Sequence, residues 1–100
     1  MLDIASQSGR RVLAVVAEEF STSAPQILSA RRDRGIVQAR QALCYILRED
    51  LNWTLGEIGR FVNRDHTTVL HAVRRARFRL RHDHDFTRRL VKAAALAECR

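Results

Sequence analysis

The scarcity of chain-turning residues constrains this sequence most: 100 residues carry four Gly and one Pro. Such a chain has little room for long loops or many tight turns, so helices joined by short connections are expected. The apolar spacing agrees. Val12, Val15, Val16 and Phe20 recur at helical intervals and predict an amphipathic helix over about 8–20. Ser23, Pro25 and Gln26 form an N-terminal capping pattern for a short helix ending near Ser29. Ala30 to Gly35 reads as a basic loop. Ile36, Leu43, Ile46 and Leu47 place a long helix over about 36–49. Thr54-Leu55-Gly56-Glu57 is a capping box opening a short helix that ends near Val62. After a break at Asn63-Arg64, Val69, Val73, Ala76 and Leu80 give the next helix a buried stripe from near Asp65 to Arg81. His82 to Asp85 reads as a turn, and Phe86, Leu90, Ala93 and Ala97 line one face of a final helix. No segment alternates as a strand does. The expectation is one all-α domain over residues 1–100, a bundle of about six helices.

The charge is segregated. Net charge is +7, and residues 31–81 hold twelve Arg against five acidic residues, the whole of the excess. The two ends cancel. A basic segment between neutral ends points to a polyanion-binding face rather than a uniformly solvated surface. Cys44 and Cys99 form no metal-ligand spacing; Cys44 sits in an apolar run as a core thiol, and Cys99 is expected to be a loosely held tail residue. No apolar stretch reaches a membrane span, and the N-terminus lacks a signal-peptide pattern. The chain is expected in the cytoplasm, associated with the nucleoid, with no cofactor and no membrane partner.

A short capped helix, a polar turn and a longer helix over about 54–81 form a helix-turn-helix, whose second helix enters the major groove with its first residues on base edges. Thr67, His71 and Arg74 cluster opposite the buried stripe. Asp65, His66, Thr67 and Thr68 occupy the first turn: Asp can accept from cytosine N4, and a Thr methyl can pack on a thymine methyl. Arg64 and the helix N-terminus favour phosphate. The plainer assignment is that Asp65 only caps and Thr68 supports it. Gln41 and Arg48 lie seven apart on the long helix, with Arg34 entering on the same side, as suits phosphate contacts. Arg40 projects within the apolar arc, placed either to reach DNA or to snorkel. Phe78 falls on the polar side and is expected to pack on the last helix.

At these residues the chain resembles a known family. The run Arg64-Asp65-His66-Thr67-Thr68-Val69-Leu70-His71-Ala72 is similar to the signature of the C-terminal DNA-binding domain, domain IV, of DnaA, the bacterial replication initiator. The likeness continues through Ser29-x-Arg31-Arg32-x-Arg34, Ala39-Arg40-Gln41-Ala42 and Leu55-x-Glu57-Ile58-Gly59, covering roughly residues 8–81. The resemblance implies a Trp-repressor-type helical domain that binds double-stranded DNA at short asymmetric boxes related to TTATCCACA. It implies that Arg32 enters the minor groove and that Asp65 to Thr68 read the major groove. It implies that Arg40, Gln41 and Arg48 hold phosphates, with the backbone near Leu55 and Gly56 also approaching phosphate. The turn departs from the family: Phe61-Val62-Asn63 leads directly into Arg64 where the family has Phe-Gly-Gly, without either glycine. No GxxxxGK[ST] phosphate loop is present, so the expected role is box binding without ATPase activity, regulating replication initiation or transcription, either as a stand-alone protein, the favoured expectation, or as an isolated piece of an initiator. The alternative is an interaction module that docks the replication initiator, its regulators or another protein with DNA binding weakened. No nucleophile–base set supports an enzyme, and His66 and His71 are not spaced as paired helix metal ligands.

Overall fold

The computed structural model describes residues 4–98, with side chains from residue 7 onward; Cys99, expected in the tail, lies outside the described residues. Six helices and no strand occur among the described residues: α1 (Ile4–Glu19), α2 (Ala24–Ile27), α3 (Arg34–Glu49), α4 (Leu55–Val62), α5 (His66–His82) and α6 (His84–Glu98). No helix is long and apolar enough to cross a membrane.

α3 is the axis of the bundle and packs against all five other helices. Its buried residues run all along one side: Ile36, Ala39, Ala42, Leu43, Cys44, Ile46 and Leu47. Small residues at 39 and 42 let neighbouring backbones approach, and the larger ones fill the layer above. Cys44 is a core thiol as expected; burial pushes its pKa up to about 12. α1 and α6 pair at one end of the bundle, where the Phe20 and Phe86 rings meet edge-on at 5.7 Å. Arg89 Nη1 donates to Glu19 O at 2.7 Å, closing the same junction. Trp53 and Phe61 meet edge-on at 5.5 Å beneath the connection into α4. Gly9 on α1 faces this pair, and a Cβ there would fall 2.6 Å from the Trp53 ring.

Side-chain caps fix the starts of α2 and α4 where the sequence placed them. Thr54 Oγ1 accepts from Glu57 N at 3.1 Å, and Glu57 Oε1 accepts from Thr54 N at 2.7 Å. Ser23 Oγ accepts from Gln26 N, but Gln26 does not return the bond; its Oε1 accepts from Thr22 Oγ1 at 2.7 Å.

Four expectations are corrected. α1 starts at Ile4, earlier than about residue 8. Arg34 and Gly35 lie in the first turn of α3, not in the basic loop, because Asp33 O already accepts the first helical bond from Val37 N at 2.9 Å. The expected turn over His82 to Asp85 shrinks to Asp83 alone. Its carboxylate supplies the missing partner by accepting from Phe86 N at 3.0 Å, so α6 opens without further loop. Leu80 is half-buried rather than a full member of the α5 stripe, whose buried residues are Val69, Val73 and Ala76.

Candidate nucleic-acid interface

The site is built around the turn between α4 and α5. Asn63 ends α4 with φ 59° and ψ 50°, the left-handed conformation. Asn tolerates that region better than most side chains, since its short amide can bond locally. It thus takes the place a glycine would otherwise hold. Gly59 O accepts from both Asn63 N and Arg64 N, which satisfies carbonyls that the helix end leaves open. The turn folds back tightly: a Cβ on Gly59 would lie 2.5 Å from Arg64 O. Gly59 is therefore required by close approach, whereas the turn itself needs no glycine.

α5 follows at once. Asp65 is its N-cap and Oδ1 accepts from Thr67 N at 2.8 Å and Thr68 N at 3.0 Å. These two N–H groups, Thr68 first, hold the carboxyl below the ordinary carboxylate range. The capping role set against the base-reading one is thus real, and it uses one carboxylate oxygen. His66, Thr67, Thr68, His71 and Arg74 are all exposed. Nothing in the described chain covers the first turn of α5, where the backbone N–H groups and the helix dipole present positive potential.

Between this turn, α3 and the loop after α2 lies a groove of about 710 Å³. Arg32, Arg40, Gln41, Arg64, Thr68 and His71 line it together, joined by Ala30, Val37, Ala72 and Arg75. Four guanidiniums and no carboxylate face this space. A second, shallower concavity of about 430 Å³ brings Gly56, Arg64, Asp65 and His66 together with Gly59, Arg60 and Asn63. Arg34, Arg48, Leu55, Thr67 and Arg74 line neither. Arg75 and Arg60 were missed from the sequence. Arg75 follows His71 by one helical turn, so the periodicity that selected Thr67 and His71 already contained it.

Several cations expected at phosphate have partners inside the chain. Arg40 Nε donates to Ile27 O at 2.7 Å, and its Nη2 donates to Ser29 O at 2.9 Å and Arg31 O at 3.2 Å. Its place in the apolar arc is thereby explained: the stem crosses the α2–α3 junction to reach loop carbonyls. Partial burial first, then the like charge of Arg64, lowers its pKa. Arg48 Nη1 donates to Trp53 O at 2.9 Å, and Gln41 Oε1 accepts from Arg79 Nε at 2.9 Å. Arg31 pairs with Asp33 through two bonds, whereas Arg32 and Arg34 beside it are exposed and have no carboxylate partner among the described residues. Phe78 lies outside the core cluster, 50% exposed, under the guanidinium of Arg75 at 5.1 Å and against the His82 ring at 4.3 Å. It packs on its own helix instead of serving as an α6 anchor.

Fold and turn together define a helix-turn-helix domain with a basic groove beside its second helix. The family described as bacterial dnaA protein helix-turn-helix matches residues 10–76. The chain belongs to that family. Among its relatives, the chromosomal replication initiator protein DnaA of Thermomicrobium roseum is 45% identical over 73 residues, covering 72% of this chain and 16% of the relative. The proteins of the same name from Mesorhizobium japonicum and Ureaplasma parvum are 48% and 41% identical over 62 and 64 residues. Those matches cover 61% and 63% of this chain and 13% and 14% of the relatives. The chain thus matches about a sixth or less of the length of these initiators.

Proposed function

We propose that this domain binds double-stranded DNA sequence-specifically at DnaA-box-like sites. The first turn of α5 enters the major groove, with Thr67 and Thr68 on thymine methyls, Asp65 Oδ2 available to cytosine N4, and His66, His71 and Arg74 flanking. Arg32, unpaired and exposed at the tip of the loop, enters the adjacent minor groove, while Arg34, Gln41, Arg48 and the backbone at Leu55-Gly56 meet phosphates. The domain acts by binding alone, without nucleotide hydrolysis, in the cytoplasm at the nucleoid, and regulates replication initiation or transcription near its boxes.

The observation that carries this reading is the groove beside α5, lined by four arginines and no acid. Like charges so gathered repel one another unless an anion lies among them, and the phosphate backbone is such an anion. A gel shift with a TTATCCACA duplex and a scrambled duplex of equal length tests it. A clear preference for the box is expected; equal affinity for both would leave only non-specific binding, and no shift would remove the reading. One observation favours a protein partner instead: half-exposed Phe78 set among cations on the outer face of α5. Loss of both duplexes from the gel shift with a folded protein would turn the interpretation that way.

A further inference from the structure

The loop between α2 and α3 contains almost no secondary structure, yet its carbonyls are tied from two directions. From α3, Arg40 holds Ile27 O, Ser29 O and Arg31 O. From the helix turn, Arg64 Nη2 reaches the same Ser29 O, 35 residues away in sequence, at 2.5 Å. The other end of the Arg64 guanidinium, Nη1, holds Val62 O at 3.1 Å and Asn63 O at 3.2 Å. One planar group therefore bridges the end of α4, directly before α5, to the loop that carries Arg32. Ser29 Oγ donates to Gln26 O and accepts from Arg31 N, and Arg31 pairs with Asp33. The loop is fixed on both sides of Arg32, and Arg32 is the side chain it leaves free.

We propose that Arg40 and Arg64 are positioning residues that clamp the backbone of residues 27–31 between α3 and the helix turn, so that Arg32 and the first turn of α5 are held as one rigid reading unit. The assignment rests on the DNA-binding reading above and changes the role of two arginines within it. Both were expected to meet phosphate; both spend most of their donors on carbonyls. Binding of a box requires the minor-groove arginine and the major-groove helix to arrive in register. A clamp that fixes their separation before binding removes the cost of ordering the loop on the DNA.

The roles of clamp and phosphate contact differ in what Lys can replace. A phosphate contact needs a positive charge, which an ammonium supplies. The clamp needs a planar group that spans three carbonyls in fixed directions, which an ammonium cannot do. Arg64→Lys and Arg64→Ala should therefore both lose box affinity by about tenfold, with scrambled-duplex affinity and the salt slope unchanged, since no phosphate contact is lost. In either background, adding Arg32→Ala should cost about threefold or less, against about tenfold in the parent, because a misplaced Arg32 has little left to lose. Arg40→Gln should reproduce the pattern from the other side of the loop.

Rescue of box binding by Arg64→Lys would overturn the clamp, as would equal losses on both duplexes with a slope flatter by about one, or fully multiplicative effects of positions 32 and 64. A DNA-free arm keeps the two levels of the argument apart. In the free protein the Arg40 Nε–H, bonded to Ile27 O, should exchange slowly with solvent by NMR and become fast in Arg64→Lys, which stays folded by its melting curve. A fast-exchanging Arg40 Nε–H in the parent would sink the clamp whatever the DNA result. Slow exchange with no box preference would leave the clamp standing and remove the DNA-binding reading instead.

Discussion

Thr67 illustrates how little a single position on this surface is asked to do for folding. It is exposed, its side chain makes no hydrogen bond among the described residues, and its backbone N–H is engaged by Asp65. Thr67→Ala should leave the melting temperature unchanged and weaken box binding about 5- to 100-fold, the value of one lost base contact, with scrambled DNA hardly affected. An unchanged box preference would move the major-groove contact to His66 or His71. Asp65 is the opposite case, since its carboxylate also caps α5. Asp65→Ala should cost about 1 kcal/mol of stability, a drop of about 4–8 °C in Tm for a domain of this size. Asp65→Asn keeps a good cap and isolates the charge. The folded carboxyl titrates below its ordinary value of 3.8, so its contribution is present above that pH and fades as pH falls through the depressed pKa. The parent should therefore lose more Tm than Asp65→Asn on acidification through that range. Parallel Tm–pH curves for the two would show that the backbone N–H groups do not favour the ionised cap.

At the scale of elements, the turn between α4 and α5 is where local chemistry decides geometry. Asn63 occupies the left-handed region, so Asn63→Gly should be tolerated, with Tm and box preference close to the parent. Asn63→Val should cost about 1–2 kcal/mol, because a β-branched residue resists positive φ. Gly59→Ala forces a methyl against Arg64 O and should cost about 1–3 kcal/mol while displacing the start of α5, so box preference falls along with Tm. If Gly59→Ala binds the box as the parent does, the close packing of α4 on the turn does not set the position of α5. The six helices, the Thr54–Glu57 capping box and the buried face of α3 were legible in the sequence because each depends on residues within a few positions of one another. The ends of the basic loop and of the α5–α6 turn were not: Asp33 O starts α3 early, and the Asp83 carboxylate closes α6 in one residue. The groove members Arg32, Gln41, Thr68 and His71 were foreseen, yet the bonds of Arg40 and Arg64 were not. Their acceptors are backbone carbonyls of a distant segment, which leave no pattern in side-chain spacing.

Across the whole molecule, the question is how much of the central positive charge remains free to meet DNA. Arg31, Arg77 and Arg79 pair with Asp33, Glu49 and Asp83, and Arg40, Arg48 and Arg64 lie on backbone carbonyls. Arg32, Arg34, Arg60, Arg74, Arg75 and Arg81 have neither kind of partner among the described residues, although Arg75 lies over the Phe78 ring. These six lie on the loop, α3, α4 and α5, and of the carbonyl-bound arginines Arg48 keeps N–H groups for phosphate. Surface pairs such as Arg31–Asp33 are weak and half-exposed, so they reopen readily when a phosphate competes. About five to eight phosphate contacts follow, and the logarithm of affinity should fall with the logarithm of salt at a slope of about −4 to −7. Because the contacts are electrostatic and carry no sequence, the scrambled duplex should show nearly the same slope as the box at lower affinity. Arg32→Ala should then separate the two kinds of contact, losing more on the box than on scrambled DNA, as expected of an arginine that reads minor-groove shape. Equal losses on both duplexes would make Arg32 a phosphate contact and pass the minor-groove role to Arg34. A parent slope near −1 would be incompatible with a basic groove that binds the duplex at all.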